Sequence, residues 1–150
     1  MKIAALLFNI LLILAVLSCT NNEQQIKTGI AANSRPSLDT SRYTIILQDT
    51  VLKVGSEEVQ LLYQILNNII DSLNKARGRK IDISEYKFQI VPVKSMGTQK
   101  ICWVNSFCNG GTTNWKTEIY QVEDGGICFF NTKINLTTLT YFNLVVNSSA

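Results

Sequence analysis

The feature that most constrains the fold is a long amphipathic segment in the first half of the chain. Between Glu57 and Arg77, apolar side chains recur at spacings of three and four residues, which is the period of one α-helical face. The stripe consists of Val59, Leu62, Leu66, Ile69 and Leu73, widened by Tyr63, Ile65 and Ile70. Gly78 follows as a typical C-terminal cap. The sequence therefore predicts one long helix over residues 57–77 that buries one face.

Beyond Lys80 the apolar period changes to two, which is typical of β-strands. Strands are predicted over residues 86–93, 100–107, 115–122, 127–136 and 139–146, with a short one near 43–54 before the helix. In the last hairpin the predicted core-facing side chains are Cys128, Phe130, Ile134 and Leu136, and then Phe142, Leu144 and Val146. The helical stripe is the natural partner of this face.

This order of elements indicates an α+β fold, with the helix across one face of an antiparallel sheet of four to five strands. The order resembles that of cystatin-like and nuclear-transport-factor-like small domains. For the second group, the resemblance implies a curled sheet with a pocket under the helix. The inhibitory Q-x-V-x-G loop of cystatins has no match in the sequence, so inhibition of cysteine proteases is not implied.

The N-terminus has the pattern of a secretory signal, because Lys2 precedes an apolar run over residues 3–17 that is too short for an ordinary membrane-spanning helix. The run ends in Val16-Leu17-Ser18-Cys19, which resembles the lipobox of bacterial lipoproteins. That resemblance implies a lipid-anchored protein of the cell envelope with lipid, including palmitate, on Cys19. Because Thr20 is not the aspartate that retains some lipoproteins at the inner membrane, we expect the outer membrane, with the periplasmic or surface face left open.

The domain organisation predicted from these segments has three parts. Residues 1–18 form the signal peptide, residues 19–41 a lipid-anchored flexible tether, and residues 42–150 a single domain. The tether is polar and poor in large apolar side chains, as is typical of disordered segments. As a flexible coil it would span about 25 Å.

The absence of histidine restricts the chemistry of this chain. It excludes Ser-His-Asp and Cys-His catalysis within the chain and removes the commonest metal ligand. The net charge of +3 is too small to indicate binding to nucleic acid. A basic cluster, Lys75, Arg77, Arg79 and Lys80, follows the predicted helix, where cations favour the negative end of its dipole. We therefore expect no cofactor, no metal ion and no nucleic-acid partner.

The chain has four cysteines, and lipid on Cys19 would leave Cys102, Cys108 and Cys128. One disulfide and one free thiol are then the simplest expectation. A Cys102–Cys128 bridge is slightly favoured, because both residues lie in apolar segments typical of strands. A Cys102–Cys108 bridge and three buried free thiols are the alternatives.

Four aromatic residues, Trp103, Phe107, Trp115 and Tyr120, surround a glycine-rich loop at residues 109–114. Aromatic side chains near loops are common anchors in molecular recognition, and they are equally common in cores. These four residues are the predicted binding surface.

These features favour a non-catalytic, lipid-anchored binding module for another protein, such as an immunity or inhibitor protein. One alternative is a small-ligand-binding or enzymatic domain that uses carboxylates in a pocket under the helix. The other is a structural envelope lipoprotein that assembles with copies of itself.

Overall fold

A computed structural model describes residues 24–25, 38–48, 52–93, 97–108 and 114–148. The predicted signal peptide, Cys19 and the lipobox lie outside the described residues, as does most of the predicted tether. In the part of the chain that is described, no helix is both long and apolar enough to cross a membrane.

The long helix predicted from the apolar stripe is confirmed as α1, Ser56–Arg77. Gly55 takes the N-terminal capping position, and its N–H donates a hydrogen bond of 2.8 Å to the Glu58 carboxylate. Gly78 ends the helix at a φ of +60°, where a residue without a Cβ meets no steric penalty. The two capping glycines therefore fix both ends of the helix.

The strands are β1 Gln24–Gln25, β2 Tyr43–Ile45, β3 Tyr86–Val93, β4 Ile101–Cys108, β5 Phe129–Asn135 and β6 Thr140–Val146. Five of them form a sheet in the order β6-β5-β4-β3-β2, and the two-residue β1 extends it to six at the β6 edge. Antiparallel pairs join β3 to β4, β4 to β5 and β5 to β6.

The strand β2 pairs parallel to β3, so the sheet is mixed and the prediction of a purely antiparallel sheet is wrong. The reason lies in the connection between the two strands, which contains α1. A helical crossover returns the chain to the end of the sheet from which it started, and the next strand then runs in the same direction.

The core lies between α1 and one face of the sheet. The helix contributes Val59, Leu62, Ile65, Leu66, Ile69 and Ile70. The sheet contributes Tyr86, Phe88, Ile90, Cys102, Val104, Phe130, Ile134 and Tyr141. The small cavity near Leu62, Leu66 and Phe88 measures about 10 Å³, so apolar side chains fill the interior at this point.

A β-bulge in β6 changes which of its side chains face the core. The pairs Lys133–Phe142 and Asn131–Val145 enclose one extra residue on β6, and Asn143 there has a φ of +53°. The face therefore changes at the bulge, so that Tyr141 is buried in the core in place of Phe142. The core positions predicted for Leu144 and Val146 are confirmed, and the position predicted for Phe142 is wrong.

The disulfide joins Cys108 to Cys128, with their Cα atoms 5.0 Å apart, and Cys102 is a buried free thiol. The predicted Cys102–Cys128 bridge is therefore wrong, as is the alternative Cys102–Cys108 bridge. Register explains the result, because the pairing of Phe107 with Phe129 brings Cys108 beside Cys128. Cys102 lies six positions earlier on β4, or about 20 Å along the strand.

Candidate binding groove on the outer face of the sheet

The face of the sheet opposite α1 is partly covered by residues 114–123, which we call the covering segment. Residues 114–117 begin it as a turn, and no part of the segment forms a strand. The predicted strand over residues 115–122 is therefore wrong. The backbone of this segment bonds to side chains of the sheet where a strand would bond to the backbone of a neighbour.

The side chain of Gln89 in β3 is the main attachment point of the covering segment. It is fully buried, and its Nε2 donates to the backbone oxygens of Trp115 at 2.5 Å and Glu118 at 2.6 Å. Its Oε1 accepts from the backbone N–H of Tyr120 and from Asn105 Nδ2, each at 2.9 Å. Both donors and both acceptor positions of the amide are thereby used, which is the condition for burying such a group without penalty.

Further bonds hold the two ends of the covering segment. Asn105 Nδ2 on β4 also donates to the backbone oxygen of Tyr120 at 2.6 Å. The Thr44 hydroxyl of β2 donates to the backbone oxygen of Lys116 at 3.0 Å. Asn147, just after β6, donates through Nδ2 to the backbone oxygen of Val122. The segment is thus tied to β2, β3 and β4 and to the residue that follows β6.

Two of the four aromatic residues predicted to form a binding surface are buried. Phe107 of β4 and Trp115 of the covering segment pack edge to face at 5.8 Å between ring centroids, and both side chains are buried. Trp103 and Tyr120 are half-buried. The ring centroid of Tyr120 lies 4.8 Å from that of Phe107 and 6.2 Å from that of Phe129. Phe129, which was not among the four predicted residues, is also half-buried.

The half-buried aromatics line a groove between the covering segment and strands β4 and β5, which we call the outer groove. It encloses about 510 Å³. Its walls combine aromatic rings with side-chain amides, and its lining residues are Trp103, Asn105, Tyr120, Gln121, Val122, Glu123, Phe129, Phe130, Asn131 and Asn147. Across its floor the Trp103 indole N–H donates to Asn131 Oδ1 at 3.3 Å, which fixes the orientation of the ring.

The electrostatic character of the outer groove depends on one carboxylate. Among the residues that the structure describes, Glu123 is the only charged one that lines the groove, and its side chain is exposed. The ion pairs within the described ranges join Asp39 to Arg42 and Glu58 to Lys100, so Glu123 has no ion-pair partner there. Apolar rings with a few placed polar groups are typical of ligand and protein recognition sites.

The groups with shifted pKa values lie away from the outer groove. Burial, with a smaller contribution from Glu85, raises the pKa of Tyr86 to about 12. Burial, strengthened by Glu58 and opposed by Lys100, raises the pKa of the Cys102 thiol to about 11. Both groups are therefore protonated at neutral pH, and Cys102 lacks the thiolate that nucleophilic chemistry requires.

Sequence reasoning missed the amides that build the outer groove. Gln89, Asn105 and Asn131 lie at alternate-face positions of strands, where polar residues normally face solvent. The signal that could have found them is the presence of polar residues with long or branched amides at outward positions of three consecutive strands. No family model, curated protein or solved structure matches this chain.

Proposed function

We propose that this chain is a non-catalytic binding module that recognises another protein through the outer groove. The observation that carries the proposal is the groove itself, in which Trp103, Tyr120 and Phe129 stand half-exposed beside Asn105 and Asn131. Half-exposed aromatic rings are the side chains that most often dominate protein interfaces, because they bury large areas at a small cost in conformational entropy.

The filled space between α1 and the sheet supports this choice over a pocket under the helix. The cavity there is small, and the residues that line it are apolar or tyrosine: Leu38, Tyr43, Val59, Leu62, Tyr63, Leu66, Phe88 and Ile90. A ligand site or an active site that uses carboxylates would need space and an inward Asp or Glu.

The anchoring of the module is part of the same proposal. The lipobox at residues 16–19 supports lipid on Cys19 and a position in the cell envelope, at the outer membrane in preference to the inner. The fold of the anchored domain, with one helix across a sheet, supports its comparison with cystatin-like and nuclear-transport-factor-like domains. Mass spectrometry of the mature N-terminus tests the anchor, and an unmodified Cys19 or cleavage elsewhere would contradict it.

Affinity capture tests the binding function. The tagged chain is expressed in its native cells, and proteins retained from detergent-solubilised envelopes are compared for wild type, Trp103→Ala and Ser72→Ala. Ser72 is exposed on the far side of α1, so its variant is the matched control. Retention of one protein by wild type and the control, reduced at least about tenfold in Trp103→Ala, supports the proposal. Equal retention by all three chains, or none by any, contradicts it.

A further inference from the structure

The charge around the outer groove is distributed unevenly. The covering segment and the three residues that follow it carry Glu118, Glu123 and Asp124, against a single cation, Lys116. The chain as a whole is positive, with a net charge of +3. Of these three carboxylates Glu123 lines the groove, so the groove carries a local negative charge on a protein of the opposite net charge. Such local fields select partners by charge.

The groove also presents aromatic faces beside its carboxylate. Trp103 and Tyr120 are half-buried and Phe129 lies 6.2 Å from Tyr120, while Glu123 belongs to the same lining. Aromatic faces attract cations through the negative potential of the ring, and a neighbouring carboxylate adds a direct partner. The cation of the neighbouring strand, Lys133, pairs across from Trp103 but does not line the groove.

Elsewhere on this side of the sheet, lysine side chains of the chain itself lie over an aromatic ring. The ammonium groups of Lys87 and Lys116 lie 5.4 Å and 5.7 Å from the centre of the Trp115 ring. In that case the chain supplies its own cations. In the outer groove the rings and Glu123 have no such cation among the lining residues.

We propose that the partner protein inserts an arginine or lysine side chain into the outer groove, against Trp103 and Tyr120, with its charge directed to Glu123. This inference rests on the proposed function and specifies the partner's chemistry. Arginine is the better fit, because its planar guanidinium stacks on a ring while it donates two hydrogen bonds to a carboxylate. A neutral side chain of the same shape would keep the stacking and lose the charge.

The test compares two probes of equal shape, N-acetyl-arginine amide and its neutral analogue N-acetyl-citrulline amide. The chain from residue 19 onward, with Cys19→Ser, retains every residue that the structure describes. Binding is followed by NMR through the indole N–H signals of the two tryptophans. Trp103 in the groove should shift on titration, and the buried Trp115 should not.

We expect the arginine probe to bind about fivefold more tightly than the citrulline probe. Glu123→Gln should abolish that preference, and Glu118→Gln, an equal charge change at an exposed position outside the groove lining, should retain it. Equal binding of the two probes to the wild-type chain would overturn the inference, as would an unchanged preference in Glu123→Gln. If capture still returns a partner that depends on Trp103, only the cationic specificity is refuted and the binding function stands.

Discussion

Replacement of Gln89 by Glu tests the attachment of the covering segment with almost no change in side-chain shape. The substitution removes both Nε2 donors and places a carboxylate oxygen against the backbone oxygens of Trp115 and Glu118, which accept at 2.5 and 2.6 Å. A buried acceptor that loses its donor costs about 1–3 kcal/mol, so the two lost bonds cost about 2–6 kcal/mol together. If the covering segment detaches from the sheet in the variant, the decrease in the free energy of unfolding cannot exceed the free energy of that detachment.

The matched control for Gln89→Glu is Gln121→Glu, the same chemical change at an exposed position of the covering segment. Urea unfolding should give a free energy of unfolding at least about 2 kcal/mol below wild type for Gln89→Glu, and within about 0.5 kcal/mol of it for the control. Limited proteolysis should cut the covering segment faster in Gln89→Glu alone. The reasoning is refuted if both variants match wild type in stability and in protease resistance.

Three further variants test other parts of the structure. The buried hydroxyl of Ser106 has no hydrogen-bond partner among the described residues. Ser106→Ala should therefore raise the free energy of unfolding by about 1 kcal/mol in urea titrations. A decrease of that size would contradict the prediction. Replacing Cys108 and Cys128 by Ser should lower the free energy of unfolding by about 3 kcal/mol, because the bridge spans a sequence separation of 20 residues; a loss below about 1 kcal/mol would show that the bridge adds little. Burial raises the pKa of the Glu58 carboxyl, but hydrogen bonds from Lys100 and from the Gly55 N–H, together with the Lys100 charge, outweigh burial and lower the pKa below 4.5. The ionised Glu58 therefore stabilises the fold above pH 4.5, and this stabilisation is lost as the pH falls through the lowered pKa. Thermal unfolding between pH 7 and pH 2 should therefore show a weaker acid dependence in Glu58→Gln, and an unchanged slope would contradict it.

The helix and most of the strands could be predicted because their patterns are local. The stripe of Val59, Leu62 and Leu66 repeats over several turns, so its period is unambiguous, and Gly78 marks its end. The direction of β2 relative to β3 was not predictable, because a strand of three residues has no pattern that indicates which strand it pairs with. The helical crossover between the two strands determines that they run parallel.

The errors arose where the outcome depends on contacts distant in sequence. Residues 115–122 have the composition of a strand, but the Gln89 side chain of β3 makes the hydrogen bonds to their backbone that a neighbouring strand would make. No local sequence pattern indicates such a contact. The bulge at Asn143 shifts the face of β6 by one residue. Disulfide pairing likewise depends on register between β4 and β5, which places Cys108 and not Cys102 beside Cys128.

Of the four residues predicted to form a binding surface, two line the outer groove and two are buried. Trp103 and Tyr120 line the groove, whereas the side chains of Phe107 and Trp115 are buried between the covering segment and the sheet. Sequence alone identified the right region because aromatic residues cluster there. It could not separate exposed from buried rings, since that distinction follows from the path of the covering segment.

The central claim is that the outer groove is the surface by which this chain binds a protein partner. Site-specific photo-crosslinking in native cells tests it most directly, with p-benzoylphenylalanine placed at Gln121 in the groove or at Ser72 on the exposed side of α1. The account predicts one discrete protein adduct from position 121, lost when Trp103→Ala is added, and no such adduct from position 72. An adduct from position 72 alone, or one from position 121 that persists in Trp103→Ala, would contradict it.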